Sequence, residues 1–134
     1  MVKIAVYIRI RKEDALVIEC QKQYFNELIK SKNNCEIVEF YIDVSKYERA
    51  ENLPEYNRMI KDAETHKFDY IIIKGFRQFG CLTAQKIEMI QKLKEKGIGV
   101  YSIAEGMDTL SSRWSSFMME LYLSMENELK RIRK

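Results

Sequence analysis

The sequence has little of several residue types that define small-protein classes: three cysteines, one histidine and one proline occur among 134 residues. Cys20, Cys35 and Cys81 are odd in number and have no CxxC spacing, which disfavours a disulfide framework and a zinc site. No apolar run approaches the roughly 18 residues that span a bilayer, and no signal-peptide pattern precedes the first strand pattern. We therefore expect no metal, no cofactor and no membrane partner, and a cytoplasmic protein.

Charged and hydrophobic residues are both abundant, at 32% and 46% of the chain. This balance predicts one folded core, because a chain of this length lies in the usual size range of a single domain. We expect one domain over residues 1–134, with no separate DNA-binding domain. The net charge of +3 favours a nucleic-acid partner only if the basic side chains cluster.

Strand-like and helical patterns alternate along the chain. Short runs rich in β-branched and aromatic residues predict strands at Lys3–Arg11, Glu36–Ile42, Asp69–Lys74 and Gly99–Ile103. Apolar residues at spacings of three and four predict helices from Asp14 to Lys30, Asn52 to His66, Thr83 to Lys96 and about Ser112 to the end. The alternation predicts a three-layer α/β fold, with a mainly parallel sheet of four or five strands between helices.

Side chains that start or end helices support these boundaries. Asp14 and Thr83 are predicted N-caps, and Gly97 is a predicted left-handed terminator. Asn52, with Pro54 and then Glu55 three residues on, resembles a capping box at the second helix.

Basic residues follow two of the predicted strands. Since parallel strands end at one edge of the sheet, we expect these side chains to converge there and to contact phosphate or a DNA backbone. An equally weighted alternative is that Glu13, Asp14 and Asp108 neutralise them in a surface ion-pair network. The residues of this cationic set are Arg9, Arg11, Lys12, Lys74 and Arg77.

The last predicted helix carries an apolar stripe that is longer than a terminal helix needs to cover a sheet. Such a stripe is typical of core packing or of a dimer interface. The stripe residues are Trp114, Phe117, Met118, Leu121, Tyr122, Met125 and Leu129. Lys130, Arg131 and Arg133 follow as candidate DNA contacts, although cations at a helix C-terminus are also favoured by the macrodipole alone.

Several segments resemble, in order and spacing, the catalytic domain of serine recombinases, the group of resolvases, invertases and transposon integrases. They are YIRI in the first strand, IECQ, the strand end at Asp43, LPEYNRMIKDA, KFDYIIIKGFRQFG and GIGVYSIAEGMDT. The resemblance covers essentially the whole chain. It implies a resolvase-like fold with a long C-terminal dimerisation helix. It also implies DNA cleavage and rejoining, in which a serine attacks a phosphodiester and forms a phosphoserine link.

The chain departs from this family where the nucleophile is expected. The resemblance places the first-strand arginine at Arg9 and the glutamine of the first helix at Gln21. The serine position, two residues after the arginine, is Arg11. A guanidinium cannot attack phosphorus, because it stays protonated with a pKa above about 12.

The second half of the implied site departs in the same way. After the third strand the family carries two arginines, and their positions here are Gln78 and Cys81. Arg77 lies one position before the first of them. Because electrostatic stabilisation of the phosphoryl group depends on such cations, their loss adds to the loss of the serine.

These departures lead to the hypothesis of an inactive recombinase domain. We expect a dimerising or regulatory partner in DNA recombination, either a homodimer or a heterodimer with an active recombinase, with weak DNA binding of its own. One alternative is an active recombinase or nuclease with a displaced nucleophile such as Ser45. Another is a small anion- or nucleotide-binding module, although no GxGxxG or GKS/T loop is present.

Overall fold

The computed structural model describes residues 1–32, 34–46, 53–79, 84–116, 118–120 and 123. The strands are β1 Val2–Ile10, β2 Cys35–Val44, β3 Tyr70–Ile73, β4 Gly99–Ser102 and β5 Met107–Asp108. The helices are α1 Ala15–Lys30, α2 Pro54–Glu64 and α3 Ala84–Glu95, with a short 3₁₀ helix at Phe76–Phe79. Residues 112–116, 118–120 and 123 are also helical and are called the last helix below.

The five strands form one sheet in the order β2-β1-β3-β4-β5. The β1–β2, β1–β3 and β3–β4 pairs are parallel, and β5 is antiparallel to β4. The predicted α/β fold with a mainly parallel sheet is therefore confirmed. Met107 and Asp108 form the fifth strand, in a segment for which the sequence pattern predicts no strand.

The two faces of the sheet pack on different helices, because strand side chains alternate. Ile4, Val6 and Ile8 lie on the α1 face with Phe25 and Ile29. Ala5 and Tyr7 lie on the opposite face, in a larger cluster that includes residues of α2, α3 and the last helix. Strands β1 and β3 are thus buried from both sides, as their continuous apolar runs predict.

Two of the predicted helix-end signals are confirmed. Asp14 caps α1, and its carboxylate accepts hydrogen bonds from the backbone N–H groups of Leu16 (3.0 Å) and Val17 (3.2 Å). Gly97 has a φ of +79°, the left-handed conformation in which glycine commonly follows a helix. The predicted N-cap Thr83 lies outside the described residues.

The structure corrects the prediction of how α2 is capped. The helix begins at Pro54 and its N-cap residue is Leu53, whose side chain makes no capping hydrogen bond. Asn52 lies outside the described residues. The cap comes instead from Asp43 at the end of β2, which accepts from the N–H groups of Glu55 and Tyr56. A side chain distant in sequence therefore does what a local capping box was expected to do.

The start of the last helix belongs to the core of the domain. Trp114 is 2% exposed, and its ring lies 5.5 Å from that of Phe76. The predicted stripe continues into residues that the structure does not describe, so the long C-terminal helix stays a prediction. Across the described ranges, no helix has both the length and the apolar character to cross a membrane.

Candidate phosphate-binding edge

The C-terminal ends of β1 and β2 place Arg9 and Asp43 side by side. The two residues are partners in the parallel register of these strands. By strand alternation, Arg9 lies on the same face as Tyr7, which is the face covered by α2. A cation and an anion therefore meet at the edge of the sheet where ligands commonly bind in α/β folds.

Asp43 is buried, with 2% of its surface exposed. Its carboxylate accepts hydrogen bonds from the Tyr7 hydroxyl (2.8 Å) and from the backbone N–H groups of Glu55 (2.9 Å) and Tyr56 (2.8 Å). The N-terminus of a helix is a favourable place for a negative charge. Three donors thus occupy this carboxylate, which makes it a structural acceptor and a poor general base.

The hydroxyl of Tyr7 is held in its neutral, donating form. Burial, and then the hydrogen bond to Asp43, raise the pKa of Tyr7 far above its ordinary value. Its ring also meets that of Tyr56 edge to face, at 5.7 Å between centroids. Burial likewise raises the pKa of Tyr56, to about 12. Both phenols are therefore poor acids and poor nucleophiles near neutral pH.

Arg9 is half-buried and reaches toward the segment that follows β2. Its Nη1 donates to the backbone oxygen of Ser45 at 3.4 Å, and the Ser45 N–H donates to the oxygen of Ile10 at 2.8 Å. The backbone of Ser45 is thus bound to the end of β1. This arrangement fixes the guanidinium at the edge of the sheet, with Ser45 beside it.

The other basic side chains of the cationic set are exposed. Arg11 and Lys12 follow β1, Lys74 follows β3, and Arg77 lies in the 3₁₀ helix. Within the described ranges, none of these four cations forms an ion pair. The structure therefore provides one half-buried arginine and several exposed cations after the ends of β1 and β3, but Lys74 lies on the α1 face and Arg9 on the α2 face.

Two of the three carboxylates that the sequence offers for neutralising these cations accept hydrogen bonds from other groups. Asp14 caps α1, and Asp108 accepts hydrogen bonds from the Tyr70 hydroxyl (3.1 Å) and the Leu110 N–H (2.9 Å). Glu13 is exposed. In the part of the chain that the structure describes, no ion pair joins Glu13, Asp14 or Asp108 to this cationic set, and the neutralising network stays an untested alternative.

Glu105 holds the loop after β3 in place. Its Oε1 accepts from the N–H of Phe76 at 2.8 Å and from the hydroxyl of Ser102 at 2.7 Å. These bonds join the turn after β4 to the 3₁₀ helix that carries Arg77. Glu105, for which the sequence pattern predicts no role, thus supports the segment that carries Arg77.

Gln21 and Lys74 lie together on the α1 face of the sheet. Both line an open groove of about 470 Å³, whose other lining residues are Leu16, Val17, Cys20, Tyr24 and Phe25. The fold therefore brings the first helix next to the end of β3, although the two are far apart in sequence.

Several residues assigned from the sequence lie outside the described part. These are Cys81, Phe117, Leu121, Tyr122, Met125, Leu129, Lys130, Arg131 and Arg133. The side chain of Gln78 is likewise undescribed. Of the predicted stripe, Trp114 is buried within this chain, and Met118 is half-buried against the same core. Trp114 thus contributes to the core of its own domain.

The sequence pattern misses the role of the Tyr7–Asp43 pair. Tyr7 reads as one apolar residue of a buried strand, and Asp43 only as a strand end. The available signal is position: Tyr7 lies two residues before Arg9 and so on the same face of β1. An acidic residue at the end of the neighbouring strand completes the pattern.

No metal-binding arrangement is found among the described residues, where no group of three or more His, Cys, Asp or Glu side chains is placed to hold an ion. His66 follows α2 with a left-handed φ of 55°. It precedes β3 and so lies at the opposite edge of the sheet from Arg9.

Comparisons with known proteins agree with this architecture. The family model "Resolvase, N terminal domain" matches residues 4–134. No curated protein matches the chain significantly.

Solved structures with the same fold include the N-terminal catalytic domain of TP901-1 integrase, at 22% identity and a TM-score of 0.77, with 96% of each chain covered. A resolvase family site-specific recombinase from Streptococcus pneumoniae matches at 20% identity and a TM-score of 0.71, covering 99% of this chain and 93% of that one. The C-terminal catalytic domain of ISC1926 TnpA, an IS607-like serine recombinase, matches at 14% identity and a TM-score of 0.65, covering 76% and 70%.

Proposed function

This chain belongs to the family of resolvase N-terminal domains, and we propose that it acts in site-specific DNA recombination without cleaving DNA itself. Its role is that of a dimerising or regulatory partner, either of its own kind or of an active recombinase. The observation that carries this proposal is the residue at the expected nucleophile position, which is Arg11.

The position of Arg11 follows from β1. Arg9 is the half-buried arginine at the edge of the sheet, and Arg11 follows two residues later, just beyond the strand and exposed. In the serine recombinases that this chain resembles, the attacking serine occupies the second of these positions. A protonated guanidinium attracts a phosphate but forms no covalent bond to it. The substitution therefore replaces a nucleophile with an anion-binding group.

The cationic side chains that remain are suited to binding phosphate without reaction. Arg9 contacts the Ser45 backbone, while Arg11, Lys74 and Arg77 are exposed after the ends of β1 and β3. Glutamine at position 78 and cysteine at position 81 supply none of the positive charge that the resemblance places there. Weak, salt-dependent contact with a DNA backbone is the activity that such an edge supports.

Dimerisation is the second part of the proposal. It rests on the family and on the apolar stripe of the last helix, of which Met118 is half-buried at the margin of the core. In such a dimer, a partner that binds DNA more strongly supplies most of the affinity of the complex for DNA. The proposed location is the cytoplasm.

A second candidate function is cleavage by a displaced nucleophile, Ser45. The observation that favours it is the contact between Arg9 and the Ser45 backbone, which places a serine beside a phosphate-binding arginine. A serine needs a base to become nucleophilic. Asp43 is close in sequence, but its two oxygens are already occupied by three donors. We therefore place this function second.

Trapping of a covalent protein–DNA intermediate separates the two functions. A nicked duplex retains any enzyme that attacks it, because the cleaved end diffuses away and rejoining fails. The first proposal requires that no phosphoserine link forms. The second requires a link that depends on the Ser45 hydroxyl.

A further inference from the structure

The two faces of the sheet are covered unequally. Residues of α2, α3 and the last helix pack on one face, and α1 is the one described helix on the other. Ile72 of β3 is buried in the same cluster as the α1 residues, whereas β4 beside it has less cover. Tyr101 of β4 is 37% exposed there.

Helix α1 has more apolar surface than its contact with the sheet uses. Leu16, Val17 and Tyr24 are 74%, 39% and 49% exposed, and Cys20 is exposed between them. Leu16, Cys20 and Tyr24 are spaced by four residues and so form one ridge along the helix. Exposed apolar residues that are contiguous in this way mark interaction surfaces more often than single ones do.

Lys74 gives the groove a charge. It is exposed and lines the groove together with the α1 side chains. Within the described ranges, no carboxylate forms an ion pair with its ammonium group. An occupant with apolar side chains and one carboxylate beside them therefore matches this groove.

The chain itself presents such a surface on the last helix. Met119 and Leu123 are 60% and 53% exposed, and they are four residues apart on one ridge. Glu120 is exposed and lies within about 100° of both around the helix axis. These three residues lie outside the apolar stripe that predicts dimerisation, so they form a separate face.

We propose that the α1 groove binds the last helix of a second copy of this chain. Met119 and Leu123 of the second copy pack against Leu16, Cys20 and Tyr24, with ridge packed into groove. Glu120 of that copy pairs with Lys74. The contact joins two different surfaces and is therefore heterologous, unlike the self-complementary contact of a symmetric dimer. This goes beyond the proposed function, since it needs no DNA and gives Lys74 of the cationic set a carboxylate partner.

Charge exchange tests the contact. Sedimentation of the full chain without DNA is compared for wild type, Lys74→Glu, Glu120→Lys and an equimolar mixture of the two variants. Each variant alone places like charges together and should weaken this self-association about tenfold. The mixture should recover it, because the exchanged glutamate of one variant then meets the exchanged lysine of the other.

A matched control makes the same charge change elsewhere. Lys61→Glu alters an exposed lysine on α2, across the sheet from the groove, and should leave self-association unchanged. The proposal is overturned if neither Lys74→Glu nor Glu120→Lys weakens self-association. It is also overturned if the equimolar mixture of the two variants does not recover it. The proposal is likewise overturned if Lys74→Glu changes only the binding of added duplex DNA and leaves self-association unchanged.

The natural thiol in the groove provides a second measurement. In the variant Met119→Cys, mild oxidation with diamide should form a disulfide between the new thiol and Cys20 of another copy, since the proposed packing places the two close together. The oxidant accepts the two electrons and two protons that the thiols release. The crosslink should disappear when Cys20→Ser is added. A crosslinked dimer that persists without Cys20 contradicts this packing.

Discussion

The hydroxyl of Tyr7 donates a 2.8 Å hydrogen bond to the carboxylate of Asp43. This bond connects β1 and β2 on the face covered by α2, and the same carboxylate caps that helix. Arg9 follows Tyr7 by two residues on the same strand. The position of Arg9 at the edge of the sheet therefore depends on a buried polar cluster, which leads to the first prediction.

Asp43→Ala should lower the free energy of unfolding by about 2–4 kcal/mol, because one hydroxyl and two backbone N–H groups lose their acceptor. Tyr7→Phe removes one donor and leaves the cap of α2 intact, so its cost should be about 1 kcal/mol. Urea unfolding of both variants provides the measurement. Equal losses in the two variants would show that the carboxylate does not hold the helix.

Because the pKa of Tyr56 is raised in the folded protein, we expect the protein to lose stability in alkaline solution. Burial raises its pKa in the folded protein from the ordinary 10.0 to about 12. The folded state therefore keeps its proton where the unfolded state loses it. This contribution to stability is fully present below pH 10 and is lost as the pH rises toward 12. Urea unfolding at increasing pH should show a shallower decline for Tyr56→Phe than for the wild type.

Trp114→Ala should lower the free energy of unfolding by about 3–5 kcal/mol, because the ring fills a buried position against Phe76. The loss should not depend on protein concentration, since the contact lies within one chain. Leu110→Ala, at a residue 37% exposed, should change stability little. A loss that grows as the protein is diluted would instead assign Trp114 to an interface between chains.

Arg77→Ala should weaken the binding of duplex DNA and reduce the slope of log affinity against log salt by about one, the effect of losing one phosphate contact. Fluorescence anisotropy over a range of salt concentrations measures both. Lys61→Ala, on the far side of α2, serves as the control. If the two variants have the same slope as the wild type, the cationic edge does not contact the DNA backbone.

Local signals in the sequence predict much of the fold. The continuous apolar runs at Ile71–Ile73 and in β1 identify strands covered on both faces, and Asp14 caps the helix that begins next to it. Strand β5 is missed because two residues are too few to show an alternating pattern. Trp114 fits both a core and an interface, since helical spacing is the same in the two cases.

The site is harder to predict from the sequence than the fold, because its contacts join segments that are distant along the chain. Asp43 caps α2 across an intervening loop, and Glu105 holds the 3₁₀ helix from the turn after β4. Neither contact is indicated by a pattern of neighbouring residues in the sequence. Gln21 and Lys74 meet only because α1 packs beside the end of β3. Such juxtapositions follow from topology, which the alternation of strands and helices determines only in outline.

The central claim is that Arg11 leaves the domain without a nucleophile. The most direct test incubates the protein with a nicked duplex that carries a recombination site, followed by denaturing electrophoresis and mass spectrometry of any DNA-linked peptide. A resolvase-family enzyme that retains its serine is the positive control. We expect no covalent adduct, with the wild type and Ser45→Ala indistinguishable. A phosphoserine-linked peptide from the wild-type protein would contradict the account, and its loss in Ser45→Ala would identify Ser45 as the nucleophile.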